Sequence, residues 1–412
     1  MRKSSINIKK IYCFLIAAMT LVECNTLYSF LIGNKYITVA TAAILVVSSI
    51  YAKKLKKNDG AIVLLFLSAS AILLVSYAAG DYKPEVFAVS VMIPIVCYFI
   101  LFQDKRRIEY VLNDITELMI IISAISLFFF IFGTLLNIVH PNEYFPSSRI
   151  GWGGEVGGVN YRGYYRLYFQ GTLVNFFRYS GFRNTAVFVE GPMFVYPLSI
   201  AIYNEWNLRA GGPRKKALAI MIAAMLTSFT TTGYLALLLI FVFNLFTRGK
   251  SKKFLEHSHI VVGVIAVGIL GFNIVSDKYV SGTISVNKRI DDISSCFKAF
   301  IAHPLIGIGY NNIRGLDPFR SVLRVNAGLS TGLGALFAFG GIFLGVWYII
   351  PPIWGIRKCA MDKNFLKYYG LIILSTFLLT FTVIQFSMMN AMLTSIGWAM
   401  CLSKHNKRQV LR

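Results

Sequence analysis

Residues 115–139, "ITELMIIISAISLFFFIFGTLLNIV", contain a single charge, Glu117, at the very start of an otherwise apolar or small-polar run. As a helix the stretch is about 37 Å long, enough to cross a hydrocarbon core of about 30 Å. It therefore reads as a transmembrane helix, with Asp114 and Glu117 at its cytoplasmic edge, where solvation accounts for them. Runs of the same kind recur on both sides of it. The spans expected are 11–32, 36–52, 61–79, 86–102, 115–139, 187–203, 217–230, 233–247, 259–275, 331–350, 370–386 and 388–402. The fold class is an all-α polytopic membrane protein of about twelve transmembrane helices. No internal repeat or low-complexity linker divides it, so residues 1–412 are expected to form one integral domain.

The composition agrees. Of 412 residues, 56% are hydrophobic and 14% charged, with a mean hydropathy of +0.63, whereas a soluble chain carries about a quarter charged residues. The net charge of +23 would suggest nucleic acid if it covered a soluble surface. Instead the lysines and arginines cluster at the N-terminus and at 53–57, 105–107, 209–216, 248–253, 357–367 and 404–412. Twelve spans put every cluster on one side, which the positive-inside rule makes cytoplasmic, with both termini. The basic balance is an orientation signal, and no nucleic-acid partner is expected. Arg2, Lys3, Lys9 and Lys10 ahead of an apolar run also resemble a signal peptide. No small-x-small cleavage site follows, so the first helix is expected to be retained. Of six cysteines only Cys296 falls in an external loop, which leaves no external disulfide and no metal-ligand spacing.

Two long external loops stand out, 140–186 and 276–330. The first is dense in tyrosine and arginine. In the second, Ile293, Phe297, Phe300 and Ile301 share a helical face before Pro304 and Gly307, as in a short helix lying on the membrane surface. Short interfacial helices are expected in these loops. Positive-inside statistics disfavour external arginines, so they suggest an anionic ligand. Guanidinium holds phosphate bidentately and never deprotonates. Arg178 and Arg183, pressed against the start of the sixth span, are the leading candidates. Arg166, Arg289, Arg314, Arg320 and Arg324 are further substrate-binding candidates, with Arg289 placed at the start of the interfacial helix, where an N-terminus attracts anions. Solvation or lipid headgroups explain such residues equally well. Glu190, inside an apolar run, is costly enough to suggest function; pairing with a cation or a wet cavity is the structural alternative. His303 could serve as a base or simply enter a turn before Pro304. The tyrosines of 161–169 could stack sugar rings or form an interfacial aromatic belt. Nothing points to a metal or a cofactor.

Four blocks, "RYSGFRNTAVFVEGPMF" (178–194), "TTGYLALLLIF" (231–241), "NKRIDDISSCFKAFIAHPLIGIGYNN" (287–312) and "NAGLSTGLGALFAFGGIFLGVWYIIP" (326–351), occur in an order that resembles the Wzy-type polysaccharide polymerases of the O-antigen polymerase and ligase superfamily. The resemblance implies an inverting, metal-independent glycosyltransferase in the bacterial cytoplasmic membrane. Its donor would be a polyprenyl-diphosphate-linked oligosaccharide, and its partners membrane lipid, a flippase and a chain-length regulator. External-loop arginines matter in that family. The ligase branch adds an external histidine where this chain has Asn326 and Ala327, a departure that favours the polymerase branch and leaves the catalytic base unassigned. Glycan ligase and polytopic transporter are the competing readings; the absence of a visible half-repeat counts against the latter.

Overall fold

The computed structural model describes residues 8–52, 57–80, 82–145, 161–176, 179–248, 284–321, 328–361 and 365–403. The chain is mostly helical. In order the helices are α1 (Ile8–Glu23), α2 (Leu27–Ile32), α3 (Asn34–Ile50), α4 (Lys57–Ala79), α5 (Pro84–Phe87), α6 (Ile93–Leu101) and α7 (Lys105–Phe129). Then come α8 (Gly191–Tyr203), α9 (Lys215–Thr227), α10 (Thr231–Arg248), α11 (Ile284–Ala302), α12 (Gly332–Met361), α13 (Leu366–Phe381) and α14 (Met388–Leu402). Wide turns at Ala88–Met92 and Phe130–Leu135 join α5 to α6 and extend α7. Among the described residues, four stretches are long and apolar enough to cross a membrane: Gly60–Ala79, Pro84–Leu101, Lys105–Leu135 and Gly332–Cys359. Asn34–Ile50, Thr231–Leu245, Leu366–Phe381 and Met388–Leu402 are apolar but shorter. These helices make the chain a membrane-associated protein. The ninth expected span, 259–275, lies outside the described residues.

The chain divides into two compact units, Met1–Ile44 with Glu109–Lys288, and Leu45–Ile108 with Arg289–Arg412. In the first, α8 is buried at every residue but Pro192 and packs on α9 and α10. In the second, α14 is buried from Met388 to Cys401 and packs on α6, α12 and α13. α12 is kinked at Gly341 (φ 56°, ψ −153°). A Cβ there would lie 2.3 Å from the Leu305 carbonyl oxygen, so only glycine lets the loop after α11 come this close. The amides freed by the kink are not orphaned: Ile342 donates to the Pro304 carbonyl (2.8 Å) and Phe343 to that of Leu305 (3.3 Å).

Three expectations are corrected. The first span, 11–32, is broken: α1 ends at Glu23, Asn25 takes φ 53°, and Thr26 caps α2 by accepting from the Ser29 amide. The break turns backbone groups at Asn25 and Leu27 sideways to bond a distant segment, described below. The sixth span, 187–203, starts as a helix only at Gly191. The first long loop, 140–186, holds short strands where interfacial helices were expected, within a chain that is mostly helical and consistent with an all-α membrane protein. β1 (Glu143–Phe145), β2 (Tyr161–Tyr164) and β3 (Tyr168–Gln170) form an antiparallel sheet, and β4 (Leu173–Phe176) pairs with β5 (Tyr179–Phe182). Tyrosine and phenylalanine at alternate positions suit a half-buried pleat better than a helix. The second loop does carry an amphipathic helix, α11, with Ile290, Ile293, Phe297 and Ile301 exposed and Cys296 and Ala299 buried.

Candidate functional site

Arg183 follows β5 and Glu190 precedes α8, so the six residues between them form a strap with a candidate group at each end. The strap is buried throughout and bonded on every side. The Asn184 amide donates to the Thr227 carbonyl (3.0 Å), and its side-chain nitrogen donates to Ser126 Oγ (3.2 Å) and Thr227 Oγ1 (3.0 Å). Thr185 Oγ1 donates to the Phe169 carbonyl (2.8 Å), and the Phe169 amide donates to the Ala186 carbonyl (2.9 Å). On the other edge, Leu27 N–H reaches the Val187 carbonyl (2.8 Å) and Val189 N–H the Asn25 carbonyl (3.1 Å). Buried backbone groups tied on both edges in this way make the strap a firm mount.

At one end, the Arg183 amide is held by the Thr172 carbonyl (3.1 Å). The side chain lies over Gly191: a Cβ at that position would sit 2.9 Å from Arg183 Cδ and 2.7 Å from Thr230 Cγ2. The missing side chain is what lets a guanidinium rest against the first turn of α8. Arg183 Nε is buried with no hydrogen-bond partner, which is costly for a charged donor. At the other end, Glu190 is the residue ahead of the helix, with extended backbone and no capping bond from its carboxylate. Among the described residues no ion pair involves Arg183 or Glu190. Burial pushes the Glu190 carboxyl up from its ordinary range, and the Arg183 charge opposes that shift. Burial also works against the Arg183 charge, with Glu190 supporting it. Tyr161 sits close by: its hydroxyl points to the Val189 carbonyl (3.4 Å), and burial, then the Glu190 charge, pushes it up to about 12. The pair thus offers a cationic donor lacking an acceptor beside a carboxylate able to take a proton.

The other candidates are dispersed. Arg166 stands at the β2–β3 tip, paired with Glu143 at 3.2 Å. Arg314 is exposed at the start of a short 3-10 turn. Arg320 is engaged by Asp317 (2.6 Å) and the Gly328 carbonyl (3.0 Å) and fastens that turn. His303 is exposed just beyond α11. Arg289 lies inside α11, not at its start. The helix begins by Ile284, and an N-terminal field fades within one turn. Burial lowers the Arg289 pKa and Asp292 raises it. Arg178 and Arg324 lie outside the described residues.

One cluster escaped the sequence reading. Glu205, fully buried after α8, accepts from the Arg214 backbone amide (2.7 Å), Arg214 Nε (3.1 Å) and Nη2 (2.9 Å), and Arg209 Nη1 (3.3 Å). Glu117 accepts from Arg209 and Arg214 as well. The i,i+4 spacing of Glu205 and Arg209 was the available signal. No protein-family model matches the chain, and no curated protein is significantly similar to it.

Proposed function

We propose that the chain is a Wzy-type polysaccharide polymerase of the bacterial cytoplasmic membrane, acting at the outer face with both termini inside. The observation that carries this reading is the Arg183–Glu190 pair, a guanidinium with a buried Nε lacking an acceptor beside a carboxylate that makes no capping bond and, among the described residues, no ion pair. Arg183 suits the diphosphate of a polyprenyl-linked donor, whose tail stays in lipid. Glu190 takes the proton from the acceptor hydroxyl as its oxygen attacks the anomeric carbon from the side opposite the leaving group. The anomeric C–O bond to the diphosphate breaks, and the departing negative charge is held by the fixed guanidinium. The order of the four sequence blocks and the external arginines support the same reading.

Deleting the gene and running the surface glycan on a gel tests the class of reaction. Single-repeat glycan marks lost polymerisation, whereas long unattached glycan marks lost ligation and overturns the reading. For the site, Arg183→Ala is expected to cost on the order of 2–4 kcal/mol of transition-state stabilisation, as for a lost oxyanion donor. Arg183→Lys keeps charge but loses the planar two-point contact and is partly active at best. Glu190→Gln is expected to stop polymerisation at normal abundance. Normal long glycan from that strain removes Glu190 from the mechanism.

A further inference from the structure

The β2–β3 hairpin turns through Tyr165 and Arg166, both with left-handed backbone (φ 50° and 57°), and Leu167 N–H closes the turn on the Tyr164 carbonyl at 2.9 Å. Two consecutive positive φ angles mark a type I′ turn, which ordinarily takes Asn-Gly. Here two bulky residues occupy it, at a conformational cost glycine would avoid. The surroundings hold them there: Asn142 Oδ1 accepts from the Tyr165 amide (2.7 Å), and the Tyr28 hydroxyl donates to the Arg166 carbonyl. Strain retained in an exposed turn implies that these side chains are needed at these places.

Their presentation indicates for what. Tyr165 is 60% exposed, with the Phe129 ring at a centroid distance of 6.4 Å. Beside it, Arg166 Nε meets both Glu143 carboxylate oxygens (3.3 and 3.2 Å), while the Arg166 side chain stays 68% exposed. Glu143 neutralises this arginine, so the spot is poor for phosphate, unlike the unpaired Arg183. A flat ring face beside a planar donor–acceptor pair matches a pyranose: C–H groups pack on the ring, and neighbouring hydroxyls bond guanidinium and carboxylate. The same carboxylate disfavours anionic lipid headgroups. At its root the hairpin docks on the strap, with Tyr161 beside Val189 and Phe169 bonded to Ala186. Tyr164 is three strand residues from Tyr161, about 10 Å, so the tip lies within a few sugar units of Glu190.

We propose that Tyr165, Arg166 and Glu143 form a glycan subsite that holds sugar residues remote from the reacting hydroxyl. The proposal rests on the polymerase reading and adds where the oligosaccharide lies. The test uses the full chain in lipid nanodiscs. The probe is the oligosaccharide released by mild acid from the lipid-linked repeat units of the same cells, and binding is read by saturation-transfer NMR. Tyr165→Ala is expected to bind roughly five- to tenfold more weakly, and Tyr165→Phe close to wild type, since the ring face does the work. Tyr165→Gly relieves the backbone and should raise the unfolding temperature while weakening binding as alanine does, which separates recognition from folding. Equal binding by Tyr165→Ala and wild type overturns the subsite alone. A loss confined to discs containing anionic lipid makes these residues an interfacial anchor and also overturns it. Wild-type protein that does not bind the oligosaccharide overturns the polymerase reading together with the subsite.

Discussion

Two arginine–carboxylate groups stand near opposite ends of α8, and they are built on opposite principles. Beyond its C-terminal end, Glu205 is fully buried and takes four hydrogen bonds from Arg209 and Arg214, which also serve Glu117. Two positive and two negative charges close on each other and leave nothing to offer. Ahead of its N-terminal end, Arg183 and Glu190 are brought close without an ion pair, and Arg183 Nε has no acceptor. A buried charge network completed internally serves the fold; one left incomplete is available to a ligand. The hydrogen bonds, not the residue types, separate the two.

The comparison can be tested, beginning with the largest effect. Glu205→Ala leaves two guanidiniums facing a cavity with one remaining carboxylate. It should destabilise the chain by about 3–5 kcal/mol, seen as lost protein in the membrane, whereas Glu190→Gln keeps its abundance. Similar losses for both would erase the distinction. Next, Gly191→Ala places a methyl 2.9 Å from Arg183 Cδ and 2.7 Å from Thr230 Cγ2. Overpacking costs about 1–3 kcal/mol, against the better helix propensity of alanine. Glycan length should fall with it, because the guanidinium is displaced. An unfolding temperature equal to wild type would show that Arg183 moves aside freely.

Smaller still, Arg183→Met removes the unpaired donor and should raise stability by about 1 kcal/mol while abolishing polymerisation, measured as unfolding temperature in detergent against glycan length. No such trade is expected at Arg214. The smallest effect is on pH dependence. Because the Glu190 pKa is raised in the folded state, mainly by burial, its linkage stabilisation is fully present below the ordinary glutamate range. It is lost as pH rises through the folded value. Activity runs the other way, since a base must be deprotonated, so the acid limb of the rate profile should lie above pH 4.5, the ordinary glutamate value. A more conservative Arg183→Lys change, which retains some turnover, should leave that limb nearly in place. A limb at or below 4.5 would exclude Glu190 as the base.

Much of the helical layout was legible because hydropathy reports burial in lipid directly. The last span, 388–402, coincides with α14, and Arg183 and Glu190 were visible as charges beside an apolar run. The strap between them was not. "NTAVFVE" is apolar because it is buried in protein, and hydropathy reads such a segment as helix. The break at Asn25 is set by a hydrogen-bond partner more than 160 residues away, which no local pattern encodes. The strands of the first loop escaped for a related reason: alternating tyrosines serve an interface and a pleated sheet equally well. Glu205 was overlooked because one of its two arginines is nine residues distant and meets it only after the chain has turned.

The broken first helix also bears on how the protein is made. The sideways-facing backbone at Asn25 and Leu27 emerges early in synthesis, and its partners, Val187 and Val189, emerge much later. Until then those polar groups need water or another protein, since a bare backbone donor in lipid is expensive. The strap that mounts both candidate groups therefore cannot set before the start of α8 has been threaded into place. A truncated or stalled chain would carry its first helices correctly and still have no site. Assembly of that site is a late, long-range closure, and conditions that slow it should produce inactive protein before they produce missing protein.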